Sequence, residues 1–145
     1  MEANNKQMDA TISATETSFA IIEQLSDQGG IGVSELADGL GFSKSTVHNH
    51  LQTLRELGYV LKDDDEYRLG LRFLGLGDRA RQRHHLYHFA KPETDNLVED
   101  VGERAQVMIE EEAIGIYIYQ SLADQAVRTD SHIGTLVNLH ATSTG

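Results

Sequence analysis

The chain has 145 residues, 39% of them apolar, with 12 Lys and Arg against 23 Asp and Glu and no cysteine. That length holds one domain, or a small domain plus part of another. The missing cysteines exclude a disulfide framework and suit a reducing cytoplasm, while no run approaches the roughly 18 apolar residues of a membrane span.

The N-terminus, MEANNKQMDATISATETS, lacks the basic and apolar blocks of a signal peptide, so a cytoplasmic protein with no membrane partner is expected. A net charge of −11 argues at first against a nucleic-acid partner, because such affinity usually rests on cations meeting phosphates. The acids are spread evenly, however: residues 1–75 carry six basic and twelve acidic side chains, and residues 76–145 carry six and eleven. Lysines number four against eight arginines. Even acidity with little lysine is the pattern expected of a halophilic protein. At about 1 M salt the screening length falls to roughly 3 Å, and repulsion between surface carboxylates and DNA largely vanishes.

In chain order, residues 1–13 are expected to form a flexible arm. A first helix is predicted from about Glu16 to Ser26, with Phe19, Ile22 and Leu25 as its apolar stripe, Ile21 flanking, and Gly29-Gly30 as its stop. Ser34 is the expected N-cap of a second helix that turns Leu36 and Leu40 inward. Gly39 and Gly41 permit a sharp turn, and Ser43 caps a third helix. There Val47, Leu51, Leu54 and Leu57 form the buried face at i, i+4, i+7 and i+10, and Gly58 ends the helix.

On the outer face near the start of that third helix stand Ser43, Lys44, Ser45, Thr46, His48, Asn49 and Gln52. These are side chains that contact phosphates and base edges. In so acidic a chain a solvated face should carry Asp and Glu, yet the first acid here is Glu56. Tyr59–Lys62 and Tyr67–Leu71 alternate like paired strands around the loop Asp63–Glu66. Two helices, a turn and a hairpin make a winged helix-turn-helix, the third helix being the one delivered to the major groove. The acidic wing tip is a poor phosphate ligand, which shifts expected wing contacts to Lys62 and Arg68.

Residues 76–90 read as a linker helix containing the basic run Arg79–His88. Pro92 is expected in the first turn of a new helix reaching Val101. Two strand-like runs follow, Ala105–Glu110 and Ile114–Gln120, and then a turn-rich stretch. His84, His85 and His88 share one predicted helix, but no third ligand follows at metal-site spacing. No nucleophile–base pair, phosphate-cradling loop or carboxylate dyad is present, so neither a catalytic residue nor a cofactor is expected.

These pieces resemble the IclR-type transcriptional regulators. The resemblance is carried by AIIEQL, then SELADGLGFSKSTVHNHLQTLRELGYV, then YRLGLRFLGLG, a proline-bearing helix leading to Gly102-Glu103, and the final LHATSTG, similar to that family's LHAT-x-x-G turn. It implies an α+β protein: a winged helix-turn-helix over 14–75, a linker helix over 76–90, and an incomplete α/β effector-binding domain over 91–145. It also implies a homodimer or tetramer, a double-stranded DNA operator, and a small organic effector near Leu139, His140, Ala141 and Thr142. Asn49 departs from the family, which very often has arginine there; the shorter amide is suited to adenine. The reading set against this one is a winged-helix module for protein contact without specific DNA binding.

Overall fold

The computed structural model describes residues 11–124 and 131–139. The chain forms two compact units, Met1–Gly75 and Leu76–Gly145. In the first, α1 (Ser13–Gln28), α2 (Val33–Leu40) and α3 (Lys44–Glu56) surround a core closed by β1 (Ile31–Gly32), β2 (Val60–Asp63) and β3 (Glu66–Leu69). The sheet order is β1-β3-β2, both pairs antiparallel. Ile21, Leu25, Leu36, Val47, Leu51 and Val60 are fully buried, and Ile31, Ala37, Leu54 and Tyr67 complete the core.

Several expectations are corrected. On α1 the buried direction runs through Ile21 and Leu25, while Phe19 is 57% exposed. At about 100° per residue Phe19 lies more than about 100° around the helix from that direction. Ser34 is not a cap. Gly32 occupies that position because Ile31 and Gly32 are held extended against Tyr67 and Glu66, so the helix starts at Val33. Leu57 is 52% exposed. It is the C-cap of α3, and Gly58 at φ +78° turns the chain toward β2. The wing is tighter than expected: Asp63 and Glu66 pair as strand residues, leaving Asp64-Asp65 as a two-residue turn with Asp64 at φ +51°. At the base of the wing Gly70 donates its N–H to Tyr59 O at 2.7 Å. A Cβ there would lie 3.0 Å from Gly58 O, so only glycine fits without displacing backbone.

The expected linker helix is two helices, α4 (Arg72–Gln82) and α5 (His85–Val101), parted at Arg83-His84. Pro92 lies inside α5 rather than in its first turn. Proline removes the bond its N–H would make to residue i−4, here His88. The helix continues because Thr94 and Val98 are buried and the Thr94 hydroxyl donates to Ala90 O at 2.6 Å. Helix α5 packs on an antiparallel sheet of β4 (Arg104–Glu111), β5 (Ile114–Leu122) and β6 (Leu136–Asn138), the last lying in the stretch expected to be turn-rich. Glu112 and Ala113 form the β4–β5 turn with φ +52° and +67°, the left-handed geometry of a two-residue hairpin loop.

Candidate nucleic-acid interface

Helix α3 owes its position to its apolar face. Val47, Leu51 and Leu54 anchor it in the core, which forces the remaining side chains outward. Its start is capped as expected: the Thr46 N–H donates to Ser43 Oγ at 3.1 Å, and the two hydroxyl oxygens lie 2.8 Å apart. Ser43, Lys44, Ser45, His48 and Asn49 are exposed, and Thr46 and Gln52 are half-buried. Among the described residues, Lys44, Ser45, His48 and Asn49 have no side-chain hydrogen-bond partner, which leaves their donors and acceptors to solvent or a ligand. Gln52 donates to Glu56 Oε1 at 2.8 Å and must give up that bond to reach a base.

The two wing residues are less free. Arg68 pairs with Asp63 at 3.4 Å on the exposed surface, an ion pair worth at most about 1 kcal/mol. The Lys62 ammonium stands over the Tyr67 ring, 5.7 Å from its centroid. A cleft of about 490 Å³ beside the wing is lined by Gly29, Gly30, Asp63–Arg68 and is dominated by carboxylates.

A second feature escaped the sequence reading. The flank of α3 bearing Asn49, His50 and Thr53 meets Ala14, Thr15 and Ser18 of α1 across a groove of about 360 Å³. Ser18 Oγ lies 2.8 Å from His50 Nδ1 and also 3.0 Å from Ala14 O. The Thr53 hydroxyl donates to Asn49 O at 3.1 Å. No carboxylate lines this groove. A spacing of 32 residues between Ser18 and His50 gave no local signal.

In the second unit, Lys91, Asp95 and Tyr119 form a closed triangle. The Lys91 ammonium donates to Asp95 Oδ2 and Tyr119 Oη, each at 3.1 Å, and Tyr119 donates to Asp95 Oδ1 at 2.7 Å. Its hydrogen bonds from Tyr119, Ser121 and Lys91 hold the Asp95 carboxyl below the usual value. Desolvation, followed by the bond to Asp95, raises Tyr119, and the bonds to Tyr119 and Asp95 raise Lys91. Arg104, Gln106, Gln120 and Ser131 form a separate polar cluster with bonds of 3.1 Å. His84 and His88 do not converge on one point: His84 Nε2 sits 3.1 Å from Glu111 and His88 Nε2 3.0 Å from Gln82 O. Leu139 lies against Gly115, where an added Cβ would come within 2.9 Å of its Cδ2. His140, Ala141 and Thr142 lie outside the described residues.

Three helices with a capped, outward-facing third helix and a β-hairpin define a winged helix-turn-helix protein. Residues 14–64 match the IclR helix-turn-helix domain, and residues 78–145 match the C-terminal domain of bacterial IclR transcriptional regulators. The chain belongs to the IclR family. It is 30% identical over 148 residues to the "Probable HTH-type transcriptional regulator ArcR" of Halobacterium salinarum, covering 99% of this chain and 56% of that one. It is 32% identical over 143 residues to the HTH-type transcriptional regulator KdgR of Escherichia coli, covering 97% and 54%. Among solved structures, an IclR homologue from Microbacterium hydrocarbonoxydans complexed with 4-hydroxybenzoate matches with a TM-score of 0.75 at 20% identity, over 90% of this chain and 55% of that one. The chain thus spans about half the length of the curated relatives it matches.

Proposed function

We propose that this protein is a sequence-specific DNA-binding transcriptional regulator, dimeric or tetrameric, working in the cytoplasm at high salt. Helix α3 enters the major groove. There Thr46, His48, Asn49 and Gln52 read base edges, Ser43, Lys44 and Ser45 hold phosphates at its start, and Lys62 and Arg68 meet the backbone from the wing. A small organic effector acts on the C-terminal unit around Leu139, His140, Ala141 and Thr142; the 4-hydroxybenzoate held by the Microbacterium relative supports an aromatic or carboxylic acid of that size. The Halobacterium relative and the even acidity support the high-salt setting. One observation carries the DNA reading: the exposed start of α3 holds no carboxylate in a chain with 23 of them.

The test is selection of duplexes from a randomised library in molar KCl, with affinities read by fluorescence anisotropy. Asn49→Ala should weaken the selected duplex about tenfold, within the range of one bidentate base contact, and leave a random duplex unchanged. Equal affinity of the variant and the parent protein for both duplexes refutes the placement of α3.

A further inference from the structure

The proposed docking leaves the α1–α3 groove without a role. B-form DNA has a major groove about 12 Å wide, and a helix with its side chains is about 10–12 Å across. A recognition helix therefore fills the groove, and the sugar–phosphate strands bordering it run along the helix flanks. One flank of α3 carries Asn49, His50 and Thr53 and packs beside α1. Asn49 belongs both to the exposed face and to this groove, so a duplex engaging the face brings one of its strands to the groove mouth.

The lining suits a phosphodiester. It offers hydroxyls, an amide and an imidazole with no competing carboxylate. Among the described residues, neither the Thr15 hydroxyl nor His50 Nε2 has a partner. The Ser18 hydroxyl has one proton and two acceptors in reach, Ala14 O and His50 Nδ1. Directed at Nδ1, that proton leaves the ring hydrogen on Nε2. Directed at Ala14 O, it lets Ser18 accept from Nδ1–H, which in a neutral ring makes Nε2 an acceptor. The first arrangement presents an N–H donor to an anion from a ring held at its other nitrogen, and it is the one a phosphate at Nε2 selects.

We propose that the groove between α1 and α3 binds one backbone phosphate of the duplex, with His50 Nε2 and Thr15 Oγ1 as donors and Ser18 as the positioning residue for the His50 ring. The inference rests on the DNA-binding reading above. It adds a contact from α1, outside the recognition helix and the wing, which is independent of base sequence.

The experiment uses the full chain, a duplex selected by the parent protein and a random duplex of equal length, both in molar KCl. Thr15→Ala and His50→Ala should each weaken both duplexes by about three- to tenfold, the range of one net hydrogen bond, with the ratio between duplexes unchanged. Asn49→Ala changes that ratio instead. Ser18→Ala should weaken binding in the parent background and have no effect in the His50→Ala background, which a merely structural serine would not do. A methylphosphonate scan of the selected duplex supplies a readout that does not depend on how stable a variant is. One phosphate should show a penalty that shrinks in His50→Ala and disappears when Thr15→Ala is added, while every other penalty persists. Identical penalty profiles for the parent and His50→Ala overturn the inference while leaving the regulator reading intact. A parent protein that selects no duplex overturns both.

Discussion

Ser43 joins the stability of α3 to the charge of its proposed DNA-facing edge, and one position can separate the two effects. Its hydroxyl is the side-chain cap of α3, accepting the Thr46 N–H at 3.1 Å. The first turn has no acidic residue to complement the helix dipole, so nothing replaces the cap when it is removed. Ser43→Ala should therefore cost about 1 kcal/mol, the middle of the range for N-cap loss. The second contact, to the Thr46 hydroxyl, is exposed, and water can take its place. For a unit of this size 1 kcal/mol lowers the melting temperature by about 4–8 °C. Ser43→Asp restores a capping oxygen and a favourable charge at the helix start, so it should melt at or above the parent temperature. It also puts a carboxylate where a phosphate is to lie, at a distance salt does not screen, and duplex affinity should fall about tenfold or more. Circular dichroism melts and anisotropy on the selected duplex measure the two effects separately. A Ser43→Ala protein melting with the parent refutes the cap argument. A Ser43→Asp protein binding as tightly as the parent refutes the argument from the missing carboxylates.

Replacing Ala113, held at φ +67° in the β4–β5 turn, by glycine should raise stability by about 0.5–1 kcal/mol, because the left-handed conformation costs an alanine about 1–2 kcal/mol and glycine offsets part of the gain by its entropy; a melting temperature at or below the parent's contradicts this. Lys91 and Tyr119 are both raised in the folded state, so their contribution is present below the ordinary values of 10.5 and 10.0 and is lost as pH rises through the raised ones. Asp95 is lowered, so its contribution is present above the ordinary 3.8 and is lost as pH falls through the depressed value. Urea midpoints across pH should show Tyr119→Phe flattening the alkaline limb and Asp95→Asn the acid limb, and unchanged limbs in both variants would remove the triangle from the account.

Local chemistry made α3 legible. Its apolar residues recur at helical spacing, its cap is a serine, and its stop is a glycine, so pattern and tertiary structure agree except at Leu57, where the helix has already ended. Phe19 was misplaced because the apolar stretch AIIEQL with its preceding phenylalanine fits two directions around a helix, and only the partners on α3 and β3 choose between them. The strand β1 has two residues, Ile31 and Gly32, and exists because β3 lies beside it. Pro92 obeyed a sound local rule that burial of Thr94 and Val98 overrode. Leu136–Asn138 becomes a strand through pairing with Ile114–Ile116, 20 to 24 residues earlier. The α1–α3 groove was invisible for the same reason: serine and histidine are individually uninformative until the packing of two helices brings them to 2.8 Å.

The acidity that first argued against DNA also limits how a duplex would approach on the proposed reading. The wing tip carries Asp63, Asp64, Asp65 and Glu66, and the nearby Arg68 is already paired with Asp63. A wing of that charge contributes little non-specific attraction, so affinity has to come from the start of α3 and from the flank it shares with α1. Both surfaces are free of carboxylates. In molar salt a charge is felt only within about 3 Å, so the remaining acids repel at contact and not from afar. A duplex that settles on the wing tip meets carboxylates at that range, whereas one seated on α3 meets hydroxyls, amides, imidazoles and Lys44. On the proposed reading, keeping acids off the start of α3 and its α1 flank while the wing tip carries four of them supplies orientational specificity, which long-range attraction by lysines cannot supply in molar salt.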